Sequence, residues 1–112
     1  MEILEFNAQG VRILGPQGRL DALTSKDFLD KALAEIAAGH HRLLVDCSGL
    51  SYISSAGLRA LYRMAQETER MGGALALCAV GPDVRTVLDM VDLASDVPMH
   101  SDRVEALAAM AG

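Results

Sequence analysis

The chemistry open to this chain is concentrated in one stretch, DCSGLSYISSAG, which places Ser48, Ser51, Ser54 and Ser55 within residues 46–57. A serine hydroxyl can attack a substrate, accept a phosphoryl group or cap a helix, and its surroundings decide which. Attack needs a general base beside the hydroxyl and an oxyanion site. His40 and His41 lie instead in AGHHR, on the strand-entering side, His100 falls near the last helix, and no G-x-S-x-G elbow is present. The pattern therefore speaks against an enzyme. The adjacent histidines have no neighbouring acid or thiol with which to build a first shell and are expected as solvated loop residues. Cys47 and Cys78 sit in the apolar runs LLVDC and LALCAV, where buried free thiols are the expected state. Neither a metal nor a cofactor is called for.

Composition narrows the partners. The chain has 112 residues, 51% of them apolar, with no Trp and a formal charge of −5, so one core of Leu, Val, Ile, Ala and Met is expected. Binding to nucleic acid or to an anionic membrane draws on clustered Lys and Arg, which an acidic chain does not favour. No apolar run approaches the ~20 residues needed to cross a bilayer, and MEILEFNAQG lacks the pattern of a signal segment. The expectation is a cytoplasmic domain, without membrane insertion or direct nucleic-acid binding, that meets a protein or a small ligand.

The elements that must position the serines can be read from periodicity. ILEF and VRILGP, separated by NAQG, predict an opening antiparallel hairpin. Phe28, Leu29, Ala32, Leu33 and Ile36 recur at helical spacing, with Thr24 or Ser25 available to cap the start and Gly39 to end the run. RLLVDC and ALALCAV are continuous apolar runs of the kind buried on both faces of a parallel sheet. Between them, Ser55 to Met71 predicts a second helix, with Leu58, Leu61, Tyr62 and Ala65 on its inner face and Gly72-Gly73 as its stop. Pro82 opens a third helix carrying Val84, Val87, Leu88 and Val91; VPM at 97–99 predicts a short strand. Asp102 with Glu105 resembles a capping box ahead of Val104, Leu107 and Ala108, with an Ala-rich end free to fray. The fold class is α/β: a hairpin, then alternating strands and helices, forming a mixed but mostly parallel sheet with helices packed on it.

In that frame Ser54 and Ser55 meet the N-terminus of the second helix. One of them can be a simple N-cap, and the same place tolerates a phosphate. The stretch YISSAGLRAL, flanked by GRLDALT upstream and GPDVRTVLDMVDL downstream in the same order, resembles the STAS domain as found in bacterial anti-sigma-factor antagonists. The resemblance covers nearly the whole chain and implies one STAS domain over residues 1–112. It implies a regulatory serine at the start of the helix after the central strand, which falls on Ser55. Ser54 stands where many phosphorylated members carry Asp, and is the alternative acceptor.

By the same resemblance Asp21 lies in the loop beside Ser55, where it could help fix a partner's kinase site, orient the hydroxyl or simply make a turn; Thr24 shares that loop as a helix cap, and Asp46 either points to the same edge or ends its strand. The second helix offers a contact face, placed by periodicity away from Leu58 and Leu61, with Ala60, Met64 and Met71 beside Arg59, Arg63 and Arg70. Ala56 and Gly57 complete the expected partner-binding set. An ordinary solvated helix face would have the same composition.

The implied function is partner switching. The unphosphorylated protein, a monomer or weak homodimer, binds an anti-sigma factor with serine-kinase activity and frees a sigma factor; phosphorylation of Ser55 ends the complex, and a serine phosphatase resets it. The competing reading is a STAS scaffold, or the cytosolic subunit of a lipid-transporter complex, acting without phosphorylation. A receiver domain phosphorylated on Asp46 is disfavoured, because the acid cluster after the first strand and the lysine near the last strand are both missing.

Overall fold

The computed structural model describes residues 1–93 and 96–111. Two sheets carry the chain. The larger has the strand order β1 (Ile3–Ala8), β2 (Val11–Pro16), β4 (Arg42–Asp46), β6 (Ala74–Cys78), β7 (Met99–His100); the smaller pairs β3 (Gly18–Leu20) with β5 (Leu50–Ile53). Among the described residues only β1 with β2 is antiparallel, turning on Gln9 and Gly10, both at positive φ, so the hairpin is tighter than NAQG suggests and Asn7 and Ala8 remain in the strand. All other pairings are parallel. The mixed, mostly parallel α/β fold is as expected.

Among the described residues four α-helices cover the sheets: α1 (Ser25–Ala37), α2 (Ser55–Arg70), α3 (Pro82–Met90) and α4 (Arg103–Met110). β4 is buried from Leu43 to Asp46 and β6 from Leu75 to Cys78, which is why their sequences are unbroken apolar runs. The main core lies between the sheet and α1, α2 and α3, around Phe28, Ile36, Leu43, Val45, Leu61, Met64 and Leu77. A smaller core under α4 holds Val11, Ile13, Leu44, Ala76, Cys78, Ala106 and Leu107. Arg12 and Lys31 join Glu5 and Glu35 in a network that ties β1, β2 and α1 together.

Several local expectations are corrected. Thr24 precedes α1 but its hydroxyl donates to the Arg19 carbonyl at 2.7 Å rather than accepting from the helix, and Ser25 Oγ donates to the Asp21 carbonyl. The inner face of α4 is Ala106 and Leu107, while Val104 and Ala108 point to solvent, because the helix meets the sheet one position away from the stripe its composition suggests. The last strand begins at Met99, with Val97 and Pro98 in the approach to it. β5 lies in what reads as a serine-rich loop; Leu50 and Ile53 are buried while Ser51 and Tyr52 are exposed, a pattern without the period-2 alternation of a half-buried strand, and the segment is a strand through its pairing with β3.

Candidate functional site

β4 ends on Asp46, a 3₁₀ turn at Cys47–Gly49 redirects the chain into β5, and β5 delivers Ser54 and Ser55 to the start of α2. Ser54 is the N-cap: it is extended at φ −99°, its Oγ accepts from the Gly57 N–H at 3.3 Å and its carbonyl accepts from Leu58 N–H at 2.9 Å. Its own N–H donates to the Leu20 carbonyl at 2.9 Å, fastening α2 to the end of β3. Gly57 makes the close approach possible, since a Cβ there would stand 2.7 Å from Ile53 Cγ1 and 2.8 Å from the Leu20 carbonyl oxygen. With Ser54 performing the cap, Ser55 occupies the first helical position, exposed, and its hydroxyl makes no hydrogen bond among the described residues.

The β3–α1 loop lies against this start. Asp21 Oδ1 accepts from the Leu23 N–H at 3.0 Å and from the Thr24 N–H at 3.2 Å, and the Thr24 hydroxyl accepts from Asp21 N–H at 3.0 Å. The Leu23 N–H above all, with Thr24 and the Arg19 guanidinium, holds the Asp21 carboxyl below its usual range. Asp21 therefore organises its own loop and does not bond Ser55. Arg19 stacks over the Tyr52 ring at 4.1 Å and approaches Asp21 at 3.7 Å, joining β3, β5 and the loop at the surface. Leu23 projects from the loop 87% exposed.

An open groove of about 450 Å³ runs between the first turns of α1 and α2, lined by Ala22, Leu29 and Ala56 with Lys26, Arg59 and Arg63 at its margins. Lys26 bonds Asp30 at 2.7 Å and Arg63 bonds Glu67 at 3.1 Å. Ala60 and Met64, assigned by periodicity to the exposed face, are buried at 3% and 0% exposure, and Gly57 is buried with them. α2 is clasped between the sheet and α1, so its buried stripe runs through Gly57, Ala60, Leu61, Met64 and Thr68 and is wider than one packing partner would require. Tyr62 and Ala65, expected inside, are only half-buried, with the Tyr62 hydroxyl donating to the Val91 carbonyl at 3.0 Å.

Ser54, Ser55, Ala56, Arg59 and Arg63 thus share one edge with Asp21 and Thr24 close by, whereas Gly57, Ala60 and Met64 lie beneath it. Lys26, Leu23, Arg19 and Tyr52 belong to the same surface and were not anticipated. The isolated apolar Leu in the polar turn DALTSK was the available signal.

Asp46 does not belong to this edge. Burial pushes its carboxyl up, but the Ser48 N–H at 3.0 Å and Arg103 at 2.6 Å outweigh that, and the group is held below its usual range. Arg103 in turn lies over the Phe6 ring at 4.2 Å. His40 sits 3.6 Å from Glu35 and His100 3.4 Å from Glu105, and the described residues contain no cluster of His, Cys, Asp and Glu able to hold a metal. Burial raises the Cys47 thiol to about 12 and that of Cys78 to about 11, which keeps both protonated. No helix among the described residues is long and apolar enough to cross a membrane.

A hairpin feeding a mostly parallel sheet with helices packed on it is the fold that this chain shares with solved anti-sigma-factor antagonists. The chain matches the STAS domain over residues 7–106 and belongs to that family. It is 30% identical to BtrV of Bordetella bronchiseptica, a candidate anti-sigma factor antagonist, over 97% of this chain and 94% of that protein. It is 29% identical to the anti-sigma F factor antagonist of Paenibacillus polymyxa, over 88% of this chain and 86% of that one. The crystal structure of a candidate anti-sigma factor antagonist from Thermotoga maritima superposes with a TM-score of 0.92 at 21% identity, covering 96% of this chain and 93% of the other.

Proposed function

We propose that the protein is an anti-sigma-factor antagonist that works by partner switching, with Ser55 as the switch. The observation that carries this is the division of labour between two adjacent serines. Ser54 closes the helix, leaving the Ser55 hydroxyl exposed and uncommitted on the first turn. A hydroxyl bound into the fold would have to be freed before a kinase could reach it. This one needs no unfolding.

In the forward step an anti-sigma factor with serine-kinase activity binds the edge formed by the β3–α1 loop and the start of α2, releasing its sigma factor. The kinase then moves the γ-phosphoryl group of ATP to Ser55. The hydroxyl loses its proton, an Oγ–P bond forms, the bond from phosphorus to the bridging oxygen breaks, and ADP leaves. The product carries about −1.5 to −2 charges at Ser55. The unpaired N–H groups of the first turn ease that charge in the free protein, but an interface that covered it would have to strip its water and supply cations. The complex therefore dissociates without refolding, and a serine phosphatase returns the protein to its binding form by hydrolysis of the Oγ–P bond.

Calorimetric titration of the cognate anti-sigma factor tests this. Wild type and Ser55→Ala are expected to bind, and Ser55→Asp to bind at least about tenfold more weakly, a loss of ~1.4 kcal/mol. Equal affinity for Ser55→Asp and wild type would overturn the switch.

A further inference from the structure

The chain carries ten Lys and Arg side chains against fifteen Asp and Glu. In such an acidic protein a cation should find a partner, and nine of the ten do, in an ion pair, a carbonyl hydrogen bond or a ring stack. Arg59 alone makes none of these among the described residues. It stands on α2 four residues after Ser55, which puts both side chains on one face of the helix, a turn apart. It is exposed, and it borders the groove between α1 and α2.

The other charges around the groove are committed. Lys26 is bound to Asp30. Arg63 is bound to Glu67, whose carboxyl Arg70 and Arg63 together hold down at about 2, so that this partner stays anionic through neutral pH. Asp21, the nearest acid of the loop, is occupied by Leu23, Thr24 and Arg19 and does not compete for Arg59. Among the described residues, the groove edge thus presents one unpaired guanidinium, that of Arg59, beside an apolar floor. That combination suits an acidic protein segment, because a guanidinium binds a carboxylate through two parallel hydrogen bonds.

We propose that Arg59 serves two anions in turn: a carboxylate of the docked partner while Ser55 is unmodified, and the Ser55 phosphate once it is modified. The order of charges on the helix favours the second pairing, since an anion four residues before a cation is the better i,i+4 arrangement. Phosphorylation then does more than add charge to the interface. It also withdraws from the groove edge the cation that has no intramolecular partner among the described residues. This rests on the reading of Ser55 as the modified residue and adds the group that answers the modification.

The test uses the full chain with phosphoserine installed genetically at position 55, so that no kinase is needed, and follows the phosphate by ³¹P NMR across its second ionisation. The wild-type phosphate is expected to ionise at a pH lower by about 0.3 unit or more than in Arg59→Gln, with Arg59→Lys recovering much of the difference. Circular dichroism establishes that the variants are folded. In a second arm, unmodified Arg59→Gln should bind the anti-sigma factor about three- to fivefold more weakly than wild type. Identical titrations of wild type and Arg59→Gln, or undiminished partner binding by the unmodified variant, would overturn the proposal. Phosphoserine at 55 that left partner binding unchanged would instead overturn the partner-switching reading, whatever the titration gave.

Discussion

Asp46 at the end of β4 and Ser55 at the start of α2 belong to the same βα segment, yet their surroundings differ in kind. Around Asp46 everything is bound. Its two carboxylate oxygens take the Ser48 N–H and Arg103, Arg103 covers Phe6, and the group is 6% exposed. Around Ser55 a hydroxyl and a guanidinium stand in solvent with no partner among the described residues. A buried charge must be paired or the fold loses stability, so the first cluster is what the structure demands. Nothing in the fold demands Ser55 or Arg59. Groups without a structural task are the ones a partner or a kinase can use.

Substitutions break this contrast in order of size. Gly57→Val drives a branched side chain into Ile53 and the Leu20 carbonyl, and is expected to cost about 3 kcal/mol in urea unfolding while displacing the edge that α2 shares with the β3–α1 loop. Asp46→Ala leaves Arg103 and the Ser48 N–H without their acceptor and should cost about 2 kcal/mol. The Asp46 carboxyl is held below its unfolded value, so its contribution is complete above about pH 4, the unfolded range, and is lost as pH falls through the lower folded value. Acid unfolding curves should therefore converge for wild type and Asp46→Ala as pH drops. Ser54→Ala removes the cap and should cost about 1 kcal/mol. Ser55→Ala should change stability by less than about 0.5 kcal/mol. A comparable loss at both serines would erase the distinction on which the site rests.

The sequence reveals the scaffold better than the surface. RLLVD and ALALC are legible because a strand buried on both faces has no alternative composition, and Gly39 and Gly72 mark helix ends because both adopt positive φ. The exposed face of α2 was misread because a periodic apolar stripe does not say how many neighbours a helix has. Ala60 and Met64 are small and flexible enough to suit a surface, yet both are buried where α2 packs against α1 as well as the sheet. β3 and β5 escaped notice because three and four residues are too few for a pattern, and each exists by pairing with the other. The Asp46–Arg103 pair joins positions 57 residues apart, beyond the reach of local spacing. Of the candidate site, YISSAGLRAL was visible as a helix start, but which serine caps it and which cation near it is free are properties of the folded chain.

The most direct measurement is to incubate wild type, Ser54→Ala and Ser55→Ala with the cognate anti-sigma kinase and ATP and to locate any phosphate by mass spectrometry. One phosphoryl group on Ser55 is predicted in wild type and in Ser54→Ala, and none in Ser55→Ala. Phosphate on Ser54, or a Ser55→Ala protein modified as fully as wild type, would contradict the assignment of Ser55 as the switch.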